Sequence, residues 1–187
     1  MTIVEQRAAA ILRRLKPGQT VAEVGVWHGQ LSELLLRSGL NVIMVDNWLP
    51  GELQSDRYKE TKDFHSTLVE EKVQAAEICA RGRAGPFGDQ AKIIKANSTE
   101  AARATDDKSL DMVFLDADHS YDGVKEDIHE WMPKVQPGGW IGGHDYGEPP
   151  PGANVGKRFG VTEAVQAMIP PWYKIEEDEN MTWFVRL

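Results

Sequence analysis

The sequence holds one cysteine, Cys79, in 187 residues, which excludes an internal disulfide and suits a reducing compartment. A lone cysteine in a helical stretch is expected to be a small buried apolar residue. No apolar run approaches the ~18 residues a membrane-spanning helix needs. The opening Met1-Thr2-Ile3-Val4-Glu5-Gln6-Arg7 lacks the apolar core of a signal peptide, so a cytoplasmic protein with no membrane partner is expected. Basic residues are also scarce, 21 against 29 acidic for a net charge of −8. With no basic cluster to offset that balance, a nucleic-acid partner is not expected. The dinucleotide fingerprint G-x-G-x-x-G is absent as well, which counts against a nicotinamide enzyme. No internal repeat or low-complexity segment is evident.

What is present is an alternation of short Val- and Ile-rich runs with stretches of helical spacing, the signature of a parallel α/β fold. The length fits a single domain over residues 1–187. Strands are predicted at 21–26, 42–46, 91–96, 111–116, 139–144, 172–176 and 182–187. Helices are predicted at 3–15, ending before Lys16-Pro17-Gly18, and at 31–37, ending before Gly39. Val124, Ile128, Trp131, Met132 and Val135 mark one buried face of a helix that Ser120 caps and Pro137-Gly138-Gly139 stops. Between residues 47 and 90 only 61–81, up to Gly82, reads as helix, which leaves 48–60 as a loop over the site. Pro149-Pro150-Pro151-Gly152 reads as a stiff irregular connection, and the acidic run Glu176–Asn180 as a solvated hairpin tip.

Two strand ends carry the first chemical signal. Val21-Ala22-Glu23-Val24-Gly25-Val26-Trp27-His28-Gly29 is a strand entering a glycine turn and a helix, and glycine there lets a ligand approach the backbone. The carboxylate of Glu23 suits a cationic ligand end better than a pyrophosphate. Asp46 closes the next strand, where an acid can accept bonds from both ribose hydroxyls, the alternative being an ordinary cap or turn aspartate. Asn97 and Ser98 follow the third strand, placed either to meet an adenine or to cap the next helix. Together these features resemble the class I S-adenosylmethionine-dependent methyltransferases over nearly the whole chain. The resemblance implies a Rossmann-like three-layer sandwich with a seven-stranded, mostly parallel sheet and an antiparallel C-terminal strand. It also implies S-adenosylmethionine as cofactor, with Glu23, Gly25 and Gly29 holding its methionine and ribose portions, Asp46 the ribose, and Asn97 and Ser98 the adenine.

The second signal lies in Leu110–Tyr121, an apolar strand that delivers Asp116, Asp118 and His119 at its carboxyl end. The following strand ends in His144-Asp145, one βαβ unit later, so Asp116 and Asp145 should close neighbouring strands roughly 5 Å apart. Carboxylates that close repel unless a cation or proton lies between them. A divalent metal on Asp116, Asp145 and His144 answers that repulsion. The plainer reading has Asp116 and Asp145 capping turns and the histidines packing. The region resembles metal-dependent small-molecule O-methyltransferases, such as those of macrolide sugars, and the cephalosporin-hydroxylase-type proteins, which share a D-x-x-H segment and an acidic pair at these strands. Phe159–Val165 also resembles a helix start of that branch.

By that resemblance Asp116 and Asp145 bind magnesium or manganese and His119 is the base. His144 stands where the family carries a carboxylate, and an imidazole suits manganese, iron or zinc better than magnesium. The expected reaction is methylation of a small-molecule hydroxyl that chelates the metal, a sugar diol or a catechol, with Asp116 and His119 catalytic. Trp27, His28, Trp48 and Tyr146 follow strand ends and either line the acceptor pocket or pack. Three rival readings are an enzyme of another class on the same body, a non-catalytic cofactor-binding module and a metal-dependent hydrolase. A homo-oligomer is compatible with the sequence.

Overall fold

The computed structural model describes residues 1–147 and 159–187. The proline run and most of the 146–158 loop therefore lie outside the described residues. Within them the strands are β1 (Thr20–Val24), β2 (Asn41–Asp46), β3 (Ala91–Lys95), β4 (Leu110–Leu115), β5 (Val135–Gly143), β6 (Glu176–Asp178) and β7 (Thr182–Arg186). The helices are α1 (Ile3–Leu12), α2 (Gln30–Arg37), α3 (Asp56–Glu60), α4 (Glu70–Ala84), α5 (Ser98–Arg103), α6 (Tyr121–Trp131) and α7 (Val161–Met168).

The strands form one seven-stranded sheet in the order β3-β2-β1-β4-β5-β7-β6. β1 to β5 pair in parallel, and β7 runs antiparallel to both β5 and β6. The central strands read TVAEV and LDMVFL and are almost wholly buried, as parallel strands covered on both faces must be. Ala8 and Ile11 of α1, Leu31 and Leu35 of α2 and Val73 and Ala76 of α4 close one face. Ala101 of α5, Val124 and Ile128 of α6 and Ala164 and Val165 of α7 close the other. The result is the Rossmann-like three-layer sandwich that the family resemblance implied. The chain leaves β1 in one direction towards β2 and returns to β4 on its other side, so β1 and β4 flank the topological switch point where open α/β sheets bind ligands.

Several local expectations are corrected. The helix after Ser120 is capped as foreseen, with the Ser120 hydroxyl accepting from Gly123 N–H. It ends at Trp131, however, followed by a single 3-10 turn over Met132–Lys134. Pro133, which has no N–H to give, breaks it earlier than the Pro137-Gly138-Gly139 stop. Val135 consequently opens β5 instead of closing the helical face, and the irregular pairing between Leu110 and Met112 absorbs the glycines. The predicted strand at 172–176 is a turn after Pro170-Pro171, closed by Tyr173 N–H on Pro170 C=O. β6 forms from the acidic run itself, which is held down by Arg14, 2.8 Å from Asp178 and 3.2 Å from Glu176.

α4 begins at Glu70 and passes through Gly82 to Ala84. Residues 61–69 are diverted from the helix by local side-chain bonds: Thr61 Oγ1 donates to Tyr58 C=O, Asp63 accepts from His65 N–H, and Ser66 Oγ donates to Asp63 C=O. The 48–60 segment, expected as a loop, is mostly helical: a 3-10 turn at Gly51–Leu53 is followed by the short α3, capped by Ser55. Cys79 is exposed, because the inward stripe of α4 is Val73, Ala76, Ala80 and Ala84. Among the described residues no helix is long and apolar enough to cross a membrane.

Candidate active site

A cleft of about 740 Å³ runs along the carboxyl ends of the strands and is lined by Glu23, Gly25, Asp46, Asn97, Ser98, Asp116, His119, His144 and Asp145. That volume lies within the range of small-molecule sites. Both groups of residues singled out in the sequence therefore share one space.

The glycine turn is built by close packing. Gly25 has φ +93°, and a Cβ there would lie 2.0 Å from the Asp116 carbonyl oxygen. Gly29 begins α2 at φ +74°, where a Cβ would lie 2.9 Å from Ala80 Cα. Gly29 itself is buried below the cleft mouth and does not line it. Trp27, Trp48 and Asp145 also take positive φ (51°, 42° and 59°). Backbone strain of this kind gathers where a site must be held in one shape.

Asp46 turns its carboxylate onto the backbone. Oδ2 accepts from Val26 and Trp27 N–H, each at 2.9 Å, and Oδ1 from Trp48 N–H at 2.8 Å. These bonds describe the turn aspartate, tying the β1 and β2 ends together at the edge of the cleft. Glu23 is buried and accepts a short bond from the Ser32 hydroxyl. Burial pushes its carboxyl up to about 8, with the Ser32 bond opposing. At the β3 end, Asn97 opens α5 without a side-chain cap bond and accepts from Asn47 Nδ2 at 3.3 Å. Ser98 Oγ donates to Asp127 and accepts from Trp131 Nε1 at 2.9 Å.

The β4 and β5 ends bring Asp116, His144 and Asp145 together, with one ligand atom from each lying within 4.8 Å of the others. His144 Nδ1 is 2.9 Å from Asp145 Oδ2 and 3.8 Å from Asp116 Oδ1. His119 Nε2 faces the same corner, 3.1 Å from Asp145 Oδ2 and 3.3 Å from Asp116 Oδ1. Its Nδ1 lies 3.2 Å from Asp63, and its ring stacks on Phe159 at 4.5 Å. Burial resists the imidazolium, but the carboxylates of Asp116, Asp63 and Asp145 outweigh it and carry His119 to about 10. Burial likewise resists ionisation of Asp116, and Arg7 with the two histidines brings it down to about 2.

Arg7 had no sequence signal, since its partners lie 109 and 137 positions away. From α1 it pairs with Asp116 and reaches His144 Nδ1 at 3.0 Å, serving as an internal counter-ion. Asp63, buried in the 61–69 segment, carries no such signal either. Asp127 did leave a trace, a carboxylate spaced with Val124, Ile128 and Trp131 on the inward stripe of α6. Asp118 stays outside the acid cluster, accepting from Ser120 N–H at 2.9 Å and Arg57 Nε at 3.1 Å. Arg57 also forks onto Glu126 at 2.9 and 2.7 Å, latching the 48–60 segment to α6 across the cleft. Trp27, His28 and Trp48 line the cleft, whereas Tyr146 is buried away from it.

A glycine-turn cleft at the switch point of a β3-β2-β1-β4-β5-β7-β6 sheet defines the class I S-adenosylmethionine-dependent methyltransferase fold. Residues 22–146 match the family described as Methyltransferase domain, and the chain belongs to that family. No curated protein sequence matches it. Among solved structures it is similar to the O-methyltransferase NovP, at 18% identity and TM-score 0.62 over 98% of this chain and 77% of that one. The Burkholderia thailandensis 1,6-didemethyltoxoflavin-N1-methyltransferase, with bound 1,6-didemethyltoxoflavin and S-adenosylhomocysteine, is 14% identical at TM-score 0.57 over 99% and 76%. An rRNA methylase from Streptococcus thermophilus is 9% identical at TM-score 0.59 over 100% and 95%. At these identities the likenesses establish the fold.

Glu23 yields a pH prediction. Its unfolded carboxyl titrates near about 4.3 and its folded one near 8, so the folded state binds more protons between those values and stability falls as pH rises through them. Glu23→Gln keeps an acceptor for Ser32 but carries no charge. Its melting temperature is expected to match wild type below pH 4 and to exceed it progressively up to pH 8. A constant difference across that range in thermal melts would contradict the buried-carboxyl assignment.

Proposed function

We propose that the protein transfers the methyl group of S-adenosylmethionine to a hydroxyl of a small molecule held against a divalent cation. The observation that supports this most is the meeting of Asp116, His144 and Asp145 in the same cleft as the glycine turn. In this reading Glu23, Gly25 and Gly29 shape the methionine and ribose end, Asp46 borders the ribose, and Asn97 and Ser98 stand at the adenine end.

The donor set fits the cation. Two carboxylates and an imidazole suit a divalent metal such as manganese, with magnesium less favoured by the nitrogen ligand. A cation bound there would lower the pKa of a coordinated hydroxyl. Asp116, His144 and Asp145 would hold it, and Arg7 would move off Asp116 and His144. His119 Nε2 faces this corner, 3.1 Å from Asp145 and 3.3 Å from Asp116, and would be the group placed to accept the hydroxyl proton. The Phe159 ring and Asp63 keep the imidazole in place.

The test is incubation with labelled S-adenosylmethionine and a panel of sugar and catechol acceptors, with and without chelator. Label in an O-methyl product, lost on chelation and restored by manganese, supports the proposal. Chelator-insensitive transfer removes the metal, and label on nitrogen or RNA removes the hydroxyl acceptor.

Arg7 supplies an independent check. Its guanidinium competes with a metal for Asp116, so Arg7→Gln is expected to tighten manganese binding about tenfold, the equivalent of ~1.4 kcal/mol, in titration calorimetry. Weaker or absent binding in the variant would show that Arg7 supports the cation site instead of competing for it.

A further inference from the structure

Arg57 takes no part in the reaction above, yet it joins the two walls of the cleft. One wall carries Leu53, Gln54 and Tyr58 of the 48–60 segment, and the other carries Gly123 and Glu126 of α6. Arg57 Nη1 and Nη2 donate to the two Glu126 carboxylate oxygens at 2.9 and 2.7 Å, and Nε donates to Asp118 Oδ2 at 3.1 Å. Among the described residues no other hydrogen bond or ion pair ties the segment to the β4–α6 side. Its remaining polar bonds stay on its own side of the cleft: Trp48 Nε1 donates to Trp27 C=O, Gly51 N–H to Leu68 C=O and the Tyr58 hydroxyl to Asp63.

Two features make this a fastening that opens. Trp48 and Lys62, at the two ends of the segment, hold positive φ (42° and 56°) without being glycine, an arrangement that persists only while the surroundings enforce it. Between those ends, one side chain supplies the polar hold on α6. That hold is also half in solvent, with the Arg57 side chain 39% exposed and that of Glu126 50%, so salt screens it and its strength is modest. The fork geometry fixes one closed arrangement, and the exposure lets water and salt release it.

We propose that residues 49–61 form a strap across the cleft, fastened to α6 by Arg57, and that unfastening it governs how fast ligand enters and leaves. The proposal rests on the reading that the cleft takes S-adenosylmethionine. Entry and exit use the same opening, so loosening the strap speeds both and leaves the dissociation constant nearly unchanged. A direct contact between Arg57 and ligand has a different signature, because its loss speeds dissociation alone.

The experiment is stopped-flow measurement of S-adenosylhomocysteine association and dissociation in wild type, Arg57→Gln and Glu126→Gln, at about 50 and 500 mM sodium chloride. Both variants are expected to raise the two rate constants together by about threefold to tenfold, the weight of an exposed charged pair with its hydrogen bonds. High salt is expected to bring wild type to the same rates and to leave those of Arg57→Gln where they were. Unchanged rate constants in Arg57→Gln overturn the strap, and faster dissociation with unchanged association overturns it in favour of a ligand contact. Amide hydrogen exchange of residues 52–61 in the ligand-free protein is the second measurement. Arg57→Gln is expected to exchange faster there than wild type, and equal exchange overturns the strap whether or not S-adenosylhomocysteine binds. Wild type that binds no S-adenosylhomocysteine overturns the cofactor reading, which the exchange result keeps separate from the strap.

Discussion

Replacing His119 with alanine is expected to lower kcat by about 10²- to 10⁴-fold, with S-adenosylhomocysteine affinity unchanged. The separation follows from the geometry. His119 Nε2 points at the Asp116 and Asp145 corner, its Nδ1 edge meets Asp63 and its face stacks on Phe159. With the ligand-free imidazole near pH 10, the resting protein carries it as a cation, and its contribution to stability fades as pH climbs from about 6.5 towards 10. Loss of a base should therefore also flatten the alkaline-side rise of the pH–rate profile. Parallel losses in turnover and cofactor affinity would place His119 in the cofactor site and remove it from proton transfer.

Gly25→Ala is the second large effect. The substitution places a methyl group 2.0 Å from the Asp116 carbonyl at a backbone φ of +93°. Strain at positive φ costs of order 1–3 kcal/mol, and forcing extra volume into packed backbone costs about 1–3 kcal/mol more. A fall in melting temperature of roughly 5–20 °C is expected for a chain of this size. Gly18→Ala is the matched control: its φ is +88°, but nothing lies within 4 Å of its Cβ, so only the strain component applies. Equal melting temperatures for the two variants would show that the β1–β4 approach does not constrain the turn. Because the Asp116 backbone is the obstacle, the damage should reach the acid corner as well as the glycine turn.

Much of the architecture was legible because burial leaves periodic traces. Strands β1, β2 and β4 sit close to their expected ranges, since parallel strands covered on both faces need unbroken apolar runs. The errors fell where local bonding overrides periodicity. Pro133 ended α6 early, Asp63 and its neighbours held 61–69 out of the helix, and Arg13 and Arg14 drew the acidic run into an edge strand. Cys79 was misplaced by a single position on α4, which is enough to turn a side chain outward.

The site divides in the same way. Sequence order alone determined that Glu23, Asp46, Asp116, His119, His144 and Asp145 would stand at strand ends, because a strand that is apolar until its last residue delivers polar side chains to one edge of the sheet. Only the tertiary structure decided what those groups do to one another. Arg7 crosses from α1 to neutralise Asp116, Asp63 arrives from the β2–α4 connection to flank His119, and Asp46 spends its carboxylate on three backbone amides. The reason is physical: periodicity and burial are properties of neighbouring residues, whereas charge compensation in a cleft depends on distances between groups far apart along the chain.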